Sequence, residues 1–188
     1  EIGSGLVGSE MCIRDSIKFL MSHDVEKTQE NHKRSAETIM EYLRQGHDVA
    51  MLNIGDISIY STCSYILNII EKNGFETEVC AGVPSFCAAA ARLKKPLVSR
   101  KEVLVVAPGY TDELESLMSV NGTKVIMKSG KHMNRVKKLV EKYGMSDNTI
   151  IVESCGLENE RIHYGIDETE NGYFSLMIIK TSEENDNA

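Results

Sequence analysis

Positions 26–45 are largely polar, but Ala36, Ile39, Met40 and Leu43 recur at helical spacing, and Gly46 follows as a plausible terminus. The pattern predicts a helix. The apolar run "DVAMLNI" (48–54) then predicts a buried strand leaving through Gly55-Asp56, and residues 60–73 suit a helix ended by Gly74. "FETEVCAGV" (75–83) predicts a second strand and turn, and "PSFCAAAARL" (84–93) a helix entered through Pro84. Past residue 102, "VLVVAP", "TKVIMKSG", "NTIIVES" and "YFSLMIIK" predict strands, the last two as part of an antiparallel closing element. Between them lie a helix in "TDELESLM", opened by Thr111 as cap, and an amphipathic helix in "KHMNRVKKLVEKYG". In the latter, Val136, Leu139, Val140 and Tyr143 share a face. Such alternation predicts an α/β fold with a parallel or mixed sheet and helices on its faces.

The composition changes across "KKPLVSRKE" (94–102), which divides the pattern into an N-terminal α/β domain, 17–98, and a C-terminal one, 99–188, ending in a polar, frayed tail. Residues 1–16, "EIGSGLVGSEMCIRDS", show no clear helix or strand period and no signal-peptide layout. "VGSEMCIRDS" resembles a translated sequencing-adapter artefact, so 1–16 are expected to be non-native and the natural beginning to be missing.

Apolar residues make up 41% of the 188, which is enough for a packed core. A net charge of -7 and a pI near 5.3 argue against a general nucleic-acid binder. No apolar run approaches the roughly 20 residues needed to span a bilayer, so no membrane partner is expected. The five cysteines are odd in number and never spaced as CxxC, which fits reduced thiols in the cytoplasm better than a disulfide framework. Cys80 and Cys87, within apolar stretches, are expected in the core.

Candidate chemistry collects where apolar runs stop. "NIGDISIYST", "CAGVPSFCAAA", "IMKSGK" and "VESCGLENERI" each pass from β-type residues to Gly with small or hydroxyl residues. Glycine lets a ligand approach the backbone, and exposed N–H groups and hydroxyls supply polar contacts. These loops in sequence order suggest a small-molecule site lined by strand termini. No GxxxxGK[ST] or HExxH occurs, and the five histidines show no ligand spacing, so neither a P-loop nor a metal site is expected. The basic stretch 128–138 reads equally as a solvated helix face or an anion contact.

Together, "GDISIYST", "AGVPSFCAAAARL", "TKVIMKSGK" and "VESCGLENERI" resemble the precorrin-2 / cobalt-precorrin-2 C(20)-methyltransferases of corrin biosynthesis, across residues 17–180. "FLMSHD…NHKRSAETI" resembles the stretch before that family's second motif. Ile57 and Ala81 stand where the family usually has proline, and both substitutions loosen a pre-set turn. The family's opening strand and GxGPGD-like loop, roughly 30 residues, are not found.

The resemblance implies a two-lobed tetrapyrrole methyltransferase-like fold, first strand and loop missing, that binds S-adenosylmethionine in a cleft. Gly55, Asp56 and Ile59 would border its methionine part, and Pro84 and Ser85 would supply further backbone contacts. Ser129, Gly156 and Leu157 would enclose its adenosine end. Tyr60, Ser61 and Thr62 would face the macrocycle or serve in helix capping and packing. Lys128, Lys131 or Arg161 would pair with substrate carboxylates, or stay solvated. No catalytic nucleophile is assigned, because the tetrapyrrole meso carbon is itself electron-rich. The implied assembly is a homodimer, and the alternatives are a related methyltransferase acting at another ring position or a non-catalytic binding remnant. Loss of the opening strand predicts an exposed sheet edge and a poorly soluble or inactive chain.

Overall fold

The structure is a computed structural model that describes residues 24–166 and 175–180, together with the backbone at 4–5 and 16–17. The rest of the expected non-native stretch, the segment 18–23 and the tail 181–188 lie outside the described residues. The chain divides into two compact units, Glu1–Pro84 and Ser85–Ala188. The composition change near residue 98 falls inside the second unit. There Lys180 Nζ donates to the carbonyls of Pro96 (3.1 Å) and Leu97 (2.9 Å), tying that segment to the sheet's last strand.

In the first unit, β1 (Ser4–Gly5) and β2 (Ser16–Ile17) pair antiparallel. Helix α1 (Val25–Arg44) starts at Asp24, whose side chain accepts from Lys27 N–H at 3.2 Å, and is followed by Gly46 at φ +82. Its Ala36, Ile39 and Met40 meet Ile66 and Ile70 of α2 (Cys63–Lys72), with Val49, Met51 and Phe75 packed alongside. His32 stacks on Tyr65 at 5.2 Å, a packing role for one of the histidines.

The two strands predicted in this unit do not form. Residues 48–54 and 75–83 carry strand-type side chains but sit in no ladder among the described residues, and a strand exists only through a paired neighbour. Leu52, Ile54, Val79 and Val83 are accordingly exposed. Cys80, in the second run, is exposed for the same reason. Cys87 is exposed because α3 turns Phe86 and Ala89 inward instead. The expected core placement of both cysteines is thereby corrected.

The second unit opens with α3 (Ser85–Leu93) and carries a five-stranded sheet in the order β3-β4-β7-β5-β6. These strands are β3 (Leu104–Pro108), β4 (Thr123–Met127), β5 (Thr149–Glu153), β6 (Arg161–Tyr164) and β7 (Ser175–Ile179). β3 and β4 are parallel, β7 runs antiparallel to both β4 and β5, and β6 is antiparallel to β5. Hence β3, β4 and β5 all point the same way. The mixed sheet and antiparallel closing element agree with the sequence pattern.

Both faces are covered, so β5 and β7 are buried at every position and are apolar between polar ends at Thr149, Glu153 and Ser175. On one face Ile126, Ile151, Met177 and Ile179 pack with Leu114 and Met118 of α4 (Leu114–Met118) and Met133, Val136 and Val140 of α5 (Met133–Lys142). Leu139 and Tyr143 flank this core, as the α5 face pattern predicts. On the other face Ile150 and Ile178 adjoin Ala90, Leu93 and Leu97. α4 is shorter than predicted and its cap differs. Thr111 hydrogen-bonds the Glu113 carboxylate, and Glu113 is the capping residue.

Candidate active site

Gly55-Asp56 leaves the 48–54 run with Gly55 at φ +90, a backbone region that only glycine enters freely. Asp56 then joins two loops. Its Oδ1 accepts from Ser58 N–H at 2.8 Å and from Ser58 Oγ at 2.5 Å, while its Oδ2 accepts from Gly82 N–H at 2.8 Å. These bonds, the Ser58 hydroxyl first, hold the Asp56 carboxyl below its usual range. A side chain at Gly82 would collide with the Gly55 carbonyl. The GD turn and the AGV turn are thus a single locked assembly, and only glycine allows the approach.

The hydroxyl row after this turn separates into roles. Ser61 Oγ accepts from Cys63 N–H at 3.2 Å and so serves the start of α2, whereas Thr62 makes no side-chain capping bond. Tyr60 stands at φ +50 with its ring partly exposed. Ile59 is half-buried; Ile59 N–H bonds the Asp56 carbonyl at 3.3 Å, and Pro84 ends the unit.

In the second unit the loops after β3, β4 and β5 leave the sheet at one end, because these strands are parallel to one another. Strands β4 and β5 flank β7, which puts their C-terminal ends about 10 Å apart. That end gathers Gly109, Lys128, Ser129 and Gly156. At the first two strands the fit is close: a Cβ on Gly109 would stand 2.8 Å from Ser129 Oγ and 2.9 Å from Ser129 Cα. Lys128, at φ +51, turns the chain out of β4 and delivers Ser129 into this contact. Ser129 is fully buried, yet its hydroxyl has no hydrogen-bond partner. A buried unsatisfied hydroxyl is costly, and such groups concentrate where a polar ligand completes the bonding. Tyr110 and His132, on the same two loops, have ring centroids 6.4 Å apart.

The loop after β5 is shaped by one carboxylate. Glu160 Oε2 accepts from Gly156 N–H at 2.8 Å, and Oε1 accepts from Arg92 Nε at 2.6 Å. Ser154 (φ +48) and Gly156 (φ +80) make the tight turn, leaving Leu157 exposed and Gly156 with open space around its Cβ position. Arg161 opposes Glu153 across β6 and β5. Behind it, Glu153 accepts from Ser175 Oγ at 3.4 Å and lies 3.8 Å from His163 Nε2.

The predicted residues sit on loops and strand ends, except Ser85 at the start of α3 and Lys131 in the single 3-10 turn Gly130–His132. Ser129, Gly156 and Leu157 share one end of the second sheet, and Ser85 opens α3 in the same unit. Gly55, Asp56 and Ile59 share the locked turn of the first. Gly82, Gly109, Arg92 and Glu160 were not singled out in the sequence. Glu160, four residues after Gly156 in "CGLENE", is the one with a readable signal. Among the described residues no group of three His, Cys, Asp or Glu could hold a metal, and no helix is long and apolar enough to cross a membrane. The open space at Gly156 and the unpartnered Ser129 hydroxyl, at one end of the second sheet, are compatible with a polar ligand such as S-adenosylmethionine.

Comparison with known proteins matches residues 5–166 to the family model of tetrapyrrole (corrin/porphyrin) methylases. The chain is 32% identical over 173 residues to a probable cobalt-precorrin-2 C(20)-methyltransferase of Methanocaldococcus jannaschii, covering 88% of this chain and 72% of that protein. It is 28% identical over 152 residues to a precorrin-2 C(20)-methyltransferase of Sinorhizobium sp, covering 79% of this chain and 62% of the relative. The fold matches uroporphyrin-III C-methyltransferase from Thermus thermophilus, solved with S-adenosyl homocysteine, at a TM-score of 0.65 and 20% identity over 79% of this chain and 70% of that one. The chain belongs to the tetrapyrrole (corrin/porphyrin) methylases, the S-adenosylmethionine-dependent C-methyltransferases that its four glycine-containing motifs resemble.

Proposed function

We propose that this chain methylates the C(20) meso carbon of precorrin-2 or cobalt-precorrin-2 in cobalamin biosynthesis. The two C(20)-methyltransferase relatives support the ring position. The single structural observation that carries the reading is the buried Ser129 hydroxyl, unpartnered where the loops of three parallel strands leave the sheet.

When bound, S-adenosylmethionine supplies an electrophilic sulfonium methyl group. The residues we assign to holding it are Gly55, Asp56, Ile59, Pro84, Ser85, Ser129, Gly156 and Leu157. Asp56 acts through geometry. Its carboxylate is occupied by Ser58 and Gly82 and held in its ionised form, which makes it a weak proton acceptor and a firm turn-holder. A reduced tetrapyrrole carries its own nucleophilic carbon, so the protein's main contribution is proximity and alignment. Tyr60, Ser61, Thr62, Lys128 and Arg161 are assigned to the macrocycle, the two cations as partners for its carboxylates. Of these, Ser61 also serves the start of α2. The cysteine pattern supports a cytoplasmic setting, and the family resemblance supports a homodimer.

The test is incubation of the chain, both as given and behind a family-like opening strand and loop, with labelled S-adenosylmethionine and with either metal-free or cobalt-loaded precorrin-2. Transfer of one methyl group to either macrocycle by at least one of the two forms is expected, and absence of transfer by both forms to both macrocycles would refute the assignment.

A further inference from the structure

Arg92 and Glu160 lie 68 positions apart, yet their side chains meet at 2.6 Å. Arg92 is in the last turn of α3, the helix that begins at Ser85. Glu160 ends the loop that contains Gly156 and Leu157, and its second oxygen takes the Gly156 N–H at 2.8 Å. One carboxylate therefore spans a helix cation and a loop amide. The other bonds of this loop are local: Leu157 N–H to Ser154 O at 2.9 Å, Glu160 N–H to Leu157 O at 3.1 Å, and a bond between the Cys155 thiol and the Glu160 carboxylate itself. They shape the turn but do not anchor it to the rest of the unit.

An exposed ion pair ordinarily adds little to stability. Arg92 is 62% exposed, whereas Glu160 is 14% exposed, so the carboxylate is largely enclosed and its orientation matters more than its charge energy. Arg92 also presents Nε, a donor whose direction is fixed by the planar guanidinium, where lysine would offer only a rotating point charge. The pair thus links α3, which starts at one proposed donor contact, to the loop bearing two more.

We propose that Arg92 is a positioning residue for the methyl donor, acting through Glu160 to hold the Gly156–Leu157 backbone in its binding conformation. This rests on the cofactor assignment made above. Because the Arg92 end of the pair is exposed, its removal changes the melting temperature little while the loop it aims loses its geometry.

The test compares Arg92→Ala, Arg92→Lys, Glu160→Ala and the double variant Arg92→Ala/Glu160→Ala in the full chain. Three readouts are taken: amide exchange at Gly156 and Leu157 by NMR without ligand, S-adenosylhomocysteine affinity by calorimetry, and thermal unfolding. Arg92→Ala should speed exchange at both amides and weaken S-adenosylhomocysteine binding, each by roughly 3- to 10-fold, with thermal unfolding essentially unmoved. Arg92→Lys should recover part of both effects. Glu160→Ala should cost more than Arg92→Ala, and the double variant should be no worse than Glu160→Ala alone, since both act through one carboxylate. Unchanged exchange at Gly156 and Leu157 in Arg92→Ala would overturn the proposal, as would S-adenosylhomocysteine affinity within twofold of the parent chain. If the parent chain itself fails to bind S-adenosylhomocysteine while Arg92→Ala still speeds exchange, the loop anchor exists. In that case the cofactor assignment fails, and the role given to Arg92 fails with it.

Discussion

Replacing Ser129 by Ala should separate what the residue does for folding from what it does for function. Ser129 is fully buried and its Oγ has no partner, and the Gly109 backbone packs closely against it. An unsatisfied buried hydroxyl costs about 1–3 kcal/mol, and alanine removes that penalty while vacating only one oxygen's volume. The unliganded Ser129→Ala chain should therefore be more stable, by about 1–2 kcal/mol after a small packing loss. For a protein of this size that corresponds to a melting temperature higher by roughly 2–8 °C. S-adenosylhomocysteine binding should move the other way and weaken by roughly 5- to 15-fold, the factor expected for losing a neutral hydrogen bond of about 1–1.5 kcal/mol. Differential scanning calorimetry and isothermal titration on the same preparations read both. A lower melting temperature, or a stabilised variant that binds as tightly as the parent, would refute the view that Ser129 is kept for a ligand.

Other substitutions probe the frame around this site. Asp56→Asn should mainly weaken S-adenosylmethionine binding, seen as a raised KM, and a lost pH-dependent chemical step at unchanged affinity would contradict a purely geometric role. Because the folded-state pKa of Asp56 is depressed, its stabilisation is complete above the unfolded value of about 3.9 and disappears as pH falls through the lower folded value. Asp56→Asn should accordingly flatten the acid limb of the stability profile below about pH 4, measured by urea unfolding at several pH values. Gly82→Ala would drive a methyl group into the Gly55 carbonyl and should destabilise the chain by about 1–3 kcal/mol, readable as a lower urea midpoint. Ile151→Ala, in the middle of the buried β5, should cost about 2–5 kcal/mol by the same assay.

Three strands of the second unit were readable because β4, β5 and β7 are buried along almost their whole length, so the apolar stretches "VIM", "IIV" and "LMII" stand out, while the partly buried β3 was readable through the β-type residues of "VLVVAP". The helix that carries Val136 and Val140 was readable through its 3.6-residue period. β6 was missed. Its four residues, Arg161 to Tyr164, are exposed or half-buried, and their polar–apolar alternation is too short to stand out from the loop before it. The runs at 48–54 and 75–83 show the opposite failure, since β-type composition promises a strand but cannot supply its ladder partner. The site was legible as a set of glycine-bearing strand ends, which is a local signal. What joins those ends was not legible, because the Asp56–Gly82 and Arg92–Glu160 bonds connect positions 26 and 68 residues apart. A single sequence offers nothing local to pair them.

The ring position is the central claim, and carbon NMR of the product reads it directly. The chain, as given and behind a family-like opening strand and loop, would be supplied with S-adenosylmethionine carrying a carbon-13 methyl group, together with precorrin-2 in metal-free and cobalt-loaded forms. The account predicts one enriched methyl resonance bonded to the C(20) meso carbon in at least one of the two products. Enrichment at any other ring carbon, or no enrichment in either product, would contradict it.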